Sequence, residues 1–133
     1  ENILDNKHFQ QVLDSNFGVL QEIIKGISPF IDSKAKFINI SSIASHSGNT
    51  AEVAYSSSKI LVDKLMSSLR FIDSFRSVQT LNVRPGAVKS RMTSRRAESD
   101  SFIDPDELAE LCLTIICSGS SLTVPTIDVY RGN

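Results

Sequence analysis

The sequence FINISSIASHSGNTAEVAYSSSK, residues 37 to 59, decides how this chain folds. Its first residues, Phe37, Ile38 and Ile40, form a short apolar run that predicts a buried strand. A polar loop follows, and the stretch ends in a predicted helix that carries Tyr55 and Lys59. Because residues four positions apart share one face of a helix, an ammonium group is expected beside a phenol.

Ser42 lies where the predicted strand ends, thirteen positions before Tyr55. A loop of this length can fold the serine hydroxyl back toward the phenol. Taken singly, Ser42 is typical of a strand-end hydroxyl that bonds the backbone, and Lys59 of a solvated lysine. Taken together, the three side chains are predicted to converge on one small volume.

The composition is that of an ordinary globular protein. Of 133 residues, 41% are apolar and 22% are charged, and the net charge is −1. These values exclude disorder as the main state, and a net charge of −1 gives no positive electrostatic field that would attract nucleic acid. No apolar run approaches the roughly 20 residues of a membrane span, and residues 1 to 10 lack the pattern of a signal peptide. The cytoplasm is therefore the expected location.

Helices and strands alternate along the predicted chain. Apolar residues recur at three and four positions from 7 to 31, which predicts a long helix, distorted where the poor helix formers Asn16 and Gly18 lie. A second helix is predicted from 55 to 75, with Asp63 turned outward. Its apolar stripe is predicted to consist of Leu61, Leu65, Leu69 and Ile72.

The second half of the chain adds two predicted strands and a helix. Residues 78 to 83 alternate like a strand, which a turn at Pro85 and Gly86 stops. Residues 90 to 101 are polar and are expected to be mobile. A third helix begins at the cap Asp104 and continues to Cys117, and residues 122 to 130 form the last strand.

This order predicts an α/β fold with a parallel sheet of about three strands flanked by helices. Three strands are few for such a sheet. The strand at residues 37 to 41 is apolar on consecutive positions, as an interior strand is, yet nothing before it can pair with its outer edge. We therefore expect that a part of the sheet precedes this chain.

These motifs together resemble the C-terminal half of a short-chain dehydrogenase/reductase, the extended Rossmann family of NAD(P)-dependent oxidoreductases. The last strand departs from the family pattern, because YRGN follows Ile-Asp-Val where the family usually continues to Asp-Gly-Gly. The resemblance rests on Asn16 in the first helix, Asn-x-Ser-Ser ending at Ser42, Tyr-x-x-x-Lys at Tyr55 and Lys59, and Asn-x-x-Pro-Gly at Asn82, Pro85 and Gly86 followed by Ser90.

The resemblance implies a partial domain, residues 1 to 133, that is the catalytic and substrate-binding half of a doubly wound, Rossmann-like sheet. In the complete enzyme, Tyr55 would be the general acid or base while hydride moves between a nicotinamide and a carbonyl or secondary alcohol. Lys59 would favour the phenolate and bond the nicotinamide ribose, and Ser42 would orient the substrate oxygen. Asn16 would hold a water that connects Lys59 to solvent.

The resemblance also implies the cofactor contacts. Pro85, Gly86, Val88 and Ser90, with Tyr55 and Lys59, would bind the nicotinamide end of NAD or NADP. The six glycines of the chain include no two within four residues of each other, so this chain has no glycine-rich phosphate site. The dinucleotide-binding half is therefore expected before Glu1, and the chain alone is expected to be inactive.

Other functions compete with catalysis. The chain alone could be a non-catalytic association module, since in the family the helices near 7 to 31 and 55 to 75 pack against their symmetry mates in a homodimer or homotetramer. A small-molecule carbonyl or alcohol is the expected partner of the enzyme. A serine hydrolase is excluded, because no G-x-S-x-G occurs.

The remaining polar and sulfur-containing residues have plain interpretations. His46 is expected to be an exposed loop residue, although it could touch a substrate. Cys112 and Cys117 lie five apart on one helix and are expected to be buried free thiols. No cluster has metal-ligand spacing, so no metal is predicted. Arg91, Arg95 and Arg96 are expected to be solvated, with contact to an acidic or phosphorylated substrate as the alternative.

Overall fold

The computed structural model describes residues 6–47, 52–91, 93–95, 101–119 and 123–132. Three strands and four α-helices form the framework. In chain order they are α1 (Asn6–Leu13), α2 (Val19–Ile27), β1 (Lys36–Ile40), α3 (Val53–Ser68), β2 (Gln79–Pro85), α4 (Pro105–Cys117) and β3 (Thr126–Val129).

The three strands form one parallel sheet in the order β1-β2-β3. Ile38 of β1 lies beside Leu81 of β2, and Val83 of β2 lies beside Ile127 of β3. Parallel neighbours require a crossover, and α3 and α4 are the crossover helices. The predicted α/β fold is confirmed as a Rossmann-like sheet with flanking helices.

Helices cover both faces of this sheet. Phe37 packs with the cluster that includes Val62 and Phe75, whereas its neighbour Ile38 packs with the cluster that includes Leu81 and Cys112. Successive strand residues point to opposite faces, so the two clusters lie on opposite sides of the sheet. The first cluster contains residues of α2 and α3, and the second contains residues of α4.

Strand β2 is the buried strand of the sheet, and β1 is not. Leu81 and Val83 are 0% exposed, whereas Ile40 at the end of β1 is 49% exposed. The expectation of a buried first strand was therefore wrong for the described residues, in which β1 pairs with β2 alone. No strand among the described residues pairs with its second edge.

The predicted first helix is divided by the distortion that Asn16 and Gly18 indicated. Residues Asp14–Gly18 form a π-helical turn between α1 and α2. A π turn widens the helix locally and is frequent at functional sites. A short 3-10 turn, Ser28–Phe30, follows α2, so the regular helix ends earlier than residue 31.

Helix α3 was predicted with the wrong bounds and the wrong rotation. It ends at Ser68, and two 3-10 turns follow, Leu69–Phe71 and Asp73–Phe75. Leu61 and Ile72 are 37% and 38% exposed. The buried stripe of the helix and the turn after it consists of Ala54, Ser58, Val62, Met66 and Leu69. Of the predicted stripe, Leu69 is therefore buried as expected, and Leu65 is partly buried against the same core.

This rotation also corrects the position of Asp63. Its side chain was predicted to face solvent, but it is only 17% exposed. Asp63 follows Val62, which is 2% exposed, so the carboxylate lies at the margin of the packed face. Its burial is compensated by hydrogen bonds, because Ser41, directly after β1, and Asn82 of β2 both donate to this carboxylate.

The ends of the last two strands also differ from the prediction. Strand β2 continues through Pro85, which pairs with Val129, because the last residue of a strand tolerates a missing N–H. Strand β3 is shorter than residues 122 to 130, and Pro125 immediately precedes it. The carbonyl of Pro125 accepts a hydrogen bond from the N–H of Asn82 at 2.9 Å.

Helix α4 begins as predicted. The Asp104 carboxylate accepts a hydrogen bond from the N–H of Asp106 at 3.0 Å, and Pro105 is the first helical residue. Cys112 and Cys117 are both free, as expected. Only Cys112 is buried, so the expectation was wrong for Cys117, which is exposed at the last turn of the helix.

Candidate functional site

Helix α3 brings Tyr55 and Lys59 together. Both side chains are half-buried, and the Lys59 Nζ lies 5.4 Å from the centroid of the Tyr55 ring. This is the distance of a cation–π contact, and it follows from their spacing of four residues. The ammonium group therefore lies against the phenol, as the sequence predicted.

Burial acts on the charge of Lys59. It lowers the pKa of the Lys59 ammonium below its ordinary value of 10.5, and the negative charge of Asp63, one turn further along α3, partly opposes this by raising the pKa. A protonated amine beside a phenol stabilises the phenolate, because the two charges are opposite. The two residues together are suited to moving a proton.

The lowered pKa predicts a pH-dependent stability. Because the unfolded chain binds this proton more tightly than the folded chain, the free energy of unfolding rises with pH between the folded-state pKa of Lys59 and 10.5. Lys59→Met removes the buried charge, so this variant should be more stable than the wild type near pH 7. The difference in the free energy of unfolding between Lys59→Met and the wild type should become smaller as the pH approaches 10.5.

Urea unfolding of the chain at a series of pH values measures this difference. Lys64 lies on the same helix and is exposed, so Lys64→Met is the matched control, which removes a lysine without removing a buried ammonium group. A constant difference for Lys59→Met over the same range would contradict the account of its buried ammonium.

Asn16 joins this helix through a residue that the sequence did not single out. The Asn16 Nδ2 donates to the Ser58 Oγ at 2.9 Å, and the Ser58 hydroxyl donates to the backbone carbonyl of Tyr55 at 2.6 Å. Ser58 is 0% exposed. The π turn of Asn16 is therefore fixed to the turn of α3 that carries Tyr55. The signal for Ser58 was its position three residues after Tyr55, on the same helix face.

Ser42 lies at the end of β1 and fixes the turn that follows. Its Oγ accepts a hydrogen bond from the N–H of Ala44 at 3.1 Å, which caps the 3-10 turn Ile43–Ser45. This turn packs against α3, so Ser42 and Tyr55 lie on neighbouring elements. Within the described residues no hydrogen bond joins the two hydroxyls, and the convergence of Ser42 with Tyr55 and Lys59 stays a prediction.

The turn after β2 also reaches this region. The N–H of Gly86 donates to the carbonyl of Val129 at 2.9 Å. A Cβ on Gly86 would lie 3.8 Å from the Ile43 Cδ1, and Ile43 follows Ser42. The Pro85-Gly86 turn therefore lies next to the turn that Ser42 caps.

Val88 and Ser90 lie further along, in a local turn. Val88 forms a parallel bridge with Ile103, and its carbonyl accepts a hydrogen bond from the Thr93 Oγ1 at 2.7 Å. The N–H of Ser90 donates to the same Thr93 Oγ1 at 2.9 Å, and Ser90 is exposed. Val88 also packs against the cluster that includes Leu81 and Cys112, and neither Val88 nor Ser90 has a described hydrogen bond to Tyr55 or Lys59.

The other candidates are less closely connected to the site. His46 is exposed, as expected, and its Nε2 lies 3.3 Å from the Asp128 Oδ2. Arg91 and Arg95 are exposed, in agreement with the solvated interpretation. Arg96 and the rest of 96–100 lie outside the described residues, as does Met92.

The described residues contain neither a group of metal ligands nor a membrane-spanning helix. No group of three or more His, Cys, Asp or Glu side chains there is placed to hold a metal ion. Among the helices of the same residues, none has the length and apolar character needed to cross a membrane.

A parallel sheet with helices on both faces defines a Rossmann-like α/β protein. The sequence model of the family described as short chain dehydrogenase matches residues 1–101. The chain therefore belongs to the short-chain dehydrogenase family.

Individual relatives agree with this assignment. The 3-oxoacyl-(acyl-carrier-protein) reductase FabG of Rickettsia bellii is 32% identical over 145 aligned positions, which cover 97% of this chain and 59% of that protein. The chain thus spans little more than half the length of the curated relative.

Solved structures show the same fold. The 3-ketoacyl-(acyl-carrier-protein) reductase of Brucella melitensis, solved in complex with NADH, has a TM-score of 0.82 at 16% identity, over 98% of this chain and 59% of that one. The angucycline C-6 ketoreductase LanV, solved with bound NADP, has a TM-score of 0.78 at 18% identity, over 98% and 55% of the two chains. At these identities the likeness concerns the fold.

Proposed function

We propose that this chain is the catalytic part of an NAD(P)-dependent oxidoreductase that moves hydride between a nicotinamide and a carbonyl or secondary alcohol. One observation carries the proposal: the Lys59 Nζ lies 5.4 Å from the Tyr55 ring, on a helix that Asn16 anchors through Ser58. Membership of the short-chain dehydrogenase family supports it.

Tyr55 is the proposed general acid or base. A free phenol has a pKa of about 10 and is a poor base at neutral pH. The Lys59 ammonium, which lies against the ring, favours the phenolate and so lets Tyr55 exchange a proton with the substrate oxygen. In reduction Tyr55 donates the proton, and in oxidation it accepts the proton.

Ser42 and Asn16 are the proposed supporting residues. Ser42 ends β1 beside α3, and its hydroxyl can donate to the substrate oxygen while its lone pair accepts from Ala44. Asn16 fixes the turn of α3 that presents Tyr55, since the two are linked through Ser58. We also propose that Asn16 takes part in a water-mediated path from Lys59 to solvent.

The residues of this chain fit the nicotinamide end of a dinucleotide. When bound, the nicotinamide supplies or accepts the hydride. Lys59 is a half-buried donor suited to ribose hydroxyls, and the Pro85-Gly86 turn lies beside the turn of Ser42. We propose that Val88 and Ser90 complete this contact. This sequence contains no glycine-rich loop that could bind the phosphates of the dinucleotide.

We therefore propose that the chain is one partial domain, residues 1 to 133, of a longer protein, here called the full-length enzyme, whose preceding half binds the phosphates and the adenosine. The open edge of β1 supports this, because an added parallel strand would cover it.

A carbonyl reduction assay tests the proposal. A 3-oxoacyl thioester such as acetoacetyl-N-acetylcysteamine is the first probe, because the Rickettsia relative is named for such a substrate. With the full-length enzyme, this probe or a ketone from a panel should oxidise NADH or NADPH, measured by absorbance. Failure of every carbonyl and every secondary alcohol with both cofactors would contradict the function.

A second function, association through helices, is favoured by a specific observation. Val19 and Ile23 on α2 are 52% and 48% exposed, and Ile60 on α3 is 52% exposed. Helices α2 and α3 contribute to the same core cluster, and exposed aliphatic side chains that join into one patch are typical of an interface between protein chains. We propose that a homodimer or homotetramer forms through the helices in residues 7 to 31 and 55 to 75.

Light scattering of an Ile60→Lys variant measures the association. A lysine in a desolvated interface is costly, so the variant should have a lower mass at the same concentration than the wild type. Leu113→Lys is the matched control, since Leu113 on α4 is 57% exposed and lies outside the two proposed helices. An unchanged mass for Ile60→Lys, or an equal drop in both variants, would contradict this interface.

A further inference from the structure

One carboxylate lies where the helix and two strands of the site meet. The Asp63 Oδ1 accepts hydrogen bonds from the Ser41 Oγ at 2.7 Å and from the Asn82 Nδ2 at 2.9 Å. The Arg84 Nη1 lies 3.5 Å from the Asp63 Oδ2. The Asp63 side chain is 17% exposed and that of Arg84 is 25% exposed, so this contact is partly shielded from water.

The donors are themselves held in place. The Asn82 Oδ1 accepts a hydrogen bond from the Asn39 Nδ2 at 2.8 Å. The Arg84 Nε donates to the Asp128 Oδ1 at 2.6 Å. The network therefore extends from β1 across β2 to β3. Removing the carboxylate would leave Asn82, which is 2% exposed, with a buried donor to satisfy elsewhere.

Three residues of this network, Asp63 and its partners Ser41 and Arg84, lie close in sequence to a proposed catalytic or cofactor residue. Ser41 directly precedes Ser42, and Arg84 lies two residues before Gly86. Asp63 itself lies one helical turn after Lys59. A displacement of any one segment would therefore change the distance between groups that must act together.

We propose that Asp63 is a positioning residue, which fixes the ends of β1 and β2 to α3 and so sets the mutual positions of Ser42, Gly86 and the Tyr55–Lys59 pair. This inference rests on the proposed function. Burial lowers the pKa of Lys59, and the negative charge of Asp63 partly opposes this by raising it, which favours the protonated amine beside Tyr55.

A purely structural role makes a different prediction from a positioning role. Loss of a structural carboxylate lowers the folded fraction, and the rate per folded molecule is unchanged. Loss of a positioning carboxylate lowers the rate per folded molecule, because a misplacement of about 1 Å far from the chemistry can cost about 10²-fold in rate.

Amide hydrogen exchange of the full-length enzyme tests the positions. In the wild type the N–H of Ser41 bonds the carbonyl of Val83 at 2.7 Å, and the N–H of Gly86 bonds the carbonyl of Val129 at 2.9 Å, so both amides report on the segments that Asp63 fixes. Asp63→Ala should speed the exchange of both. The exposed Asp73, which pairs with Arg76, gives the matched control Asp73→Ala.

Turnover of the same variants tests the consequence. Asp63→Ala should lower kcat per folded molecule by about 10²-fold with a smaller change in KM, and Asp73→Ala should not. Asp63→Asn keeps an oxygen acceptor for Ser41 and Asn82, so it should recover a part of the loss. The double variant Ser41→Ala/Asp63→Ala should have nearly the same kcat as Asp63→Ala, because the two substitutions remove the same hydrogen bond.

The outcomes separate this inference from the proposed function. Unchanged exchange at Ser41 and Gly86 in Asp63→Ala would overturn the inference, whatever the activity. Faster exchange with an unchanged kcat per folded molecule would also overturn it. A wild-type enzyme without any carbonyl or alcohol activity would overturn the proposed function, and the exchange measurement would still decide whether Asp63 fixes the two segments.

Discussion

Tyr55→Phe in the full-length enzyme should lower kcat by about 10²- to 10⁴-fold, the usual contribution of general acid–base catalysis. The substitution removes the phenolic proton and keeps the aromatic ring. The contact of the Lys59 ammonium with that ring is therefore retained, as are the backbone bonds from Ser58. We expect the Kd for the reduced cofactor and the thermal unfolding temperature to stay near the wild-type values.

The chain provides its own control, because it contains only one other tyrosine. Tyr130 follows β3 and is 61% exposed, and Tyr130→Phe should leave kcat unchanged. Stopped assays of both variants, at saturating substrate and cofactor, make the comparison. Wild-type turnover in Tyr55→Phe would remove Tyr55 from the proposed mechanism.

Cofactor affinity should differ by orders of magnitude between the 133-residue chain and the full-length enzyme. The sequence holds the residues proposed for the nicotinamide end, whereas backbone donors for the phosphates are expected in the preceding half. We expect a Kd in the micromolar range for the full-length enzyme and weaker than about 1 mM for the chain alone, a difference of about 4 kcal/mol.

Titration with NADH and with NADPH, followed by the fluorescence of the nicotinamide, measures both affinities. The result for the full-length enzyme also decides which of the two cofactors is preferred. Micromolar binding by the 133-residue chain would contradict the division of the cofactor site that we propose. Binding by neither form would contradict the oxidoreductase function itself.

Most of the fold could be predicted because local patterns agreed with the final packing. Consecutive apolar residues at Phe37 and Ile38 predicted a strand, and in the structure these two residues enter the cores on opposite faces of the sheet. Asp104 and Pro105 predicted the start of α4, since a cap and a first-turn proline need no tertiary contact to act.

The rotation of α3 could not be predicted in this way. The stripe of Leu61 and Leu65 and the stripe of Ser58 and Val62 have the same spacing of four residues, and hydrophobicity favours the leucines. In the structure Ser58 and Val62 are buried and Leu61 is 37% exposed, whereas Leu65 is partly buried against the core. The burial of Ser58 goes with its hydrogen bond to the π turn at Asn16. A buried serine is stable only with such partners, which come from 42 residues away in sequence.

The same reason explains Asp63. A carboxylate on a helix is most often exposed, and its burial here depends on Ser41, which directly follows β1, and on Asn82 of β2. These partners follow from the register of the sheet, which places Asn39 beside Asn82 and which no local pattern specifies. The Tyr55–Lys59 pair was predictable because both residues are on one helix.

Transfer of deuterium is the most direct measurement of the central claim, that Tyr55 moves a proton in step with a hydride from a nicotinamide. The full-length enzyme would be given NADH or NADPH with deuterium at both C4 positions of the nicotinamide, together with the carbonyl substrate that the activity assay identifies. We predict a product alcohol that carries one deuterium on the former carbonyl carbon, formed by the wild type and by Tyr130→Phe and nearly lost in Tyr55→Phe. A product without deuterium, or labelled product formed equally well by Tyr55→Phe, would contradict the account.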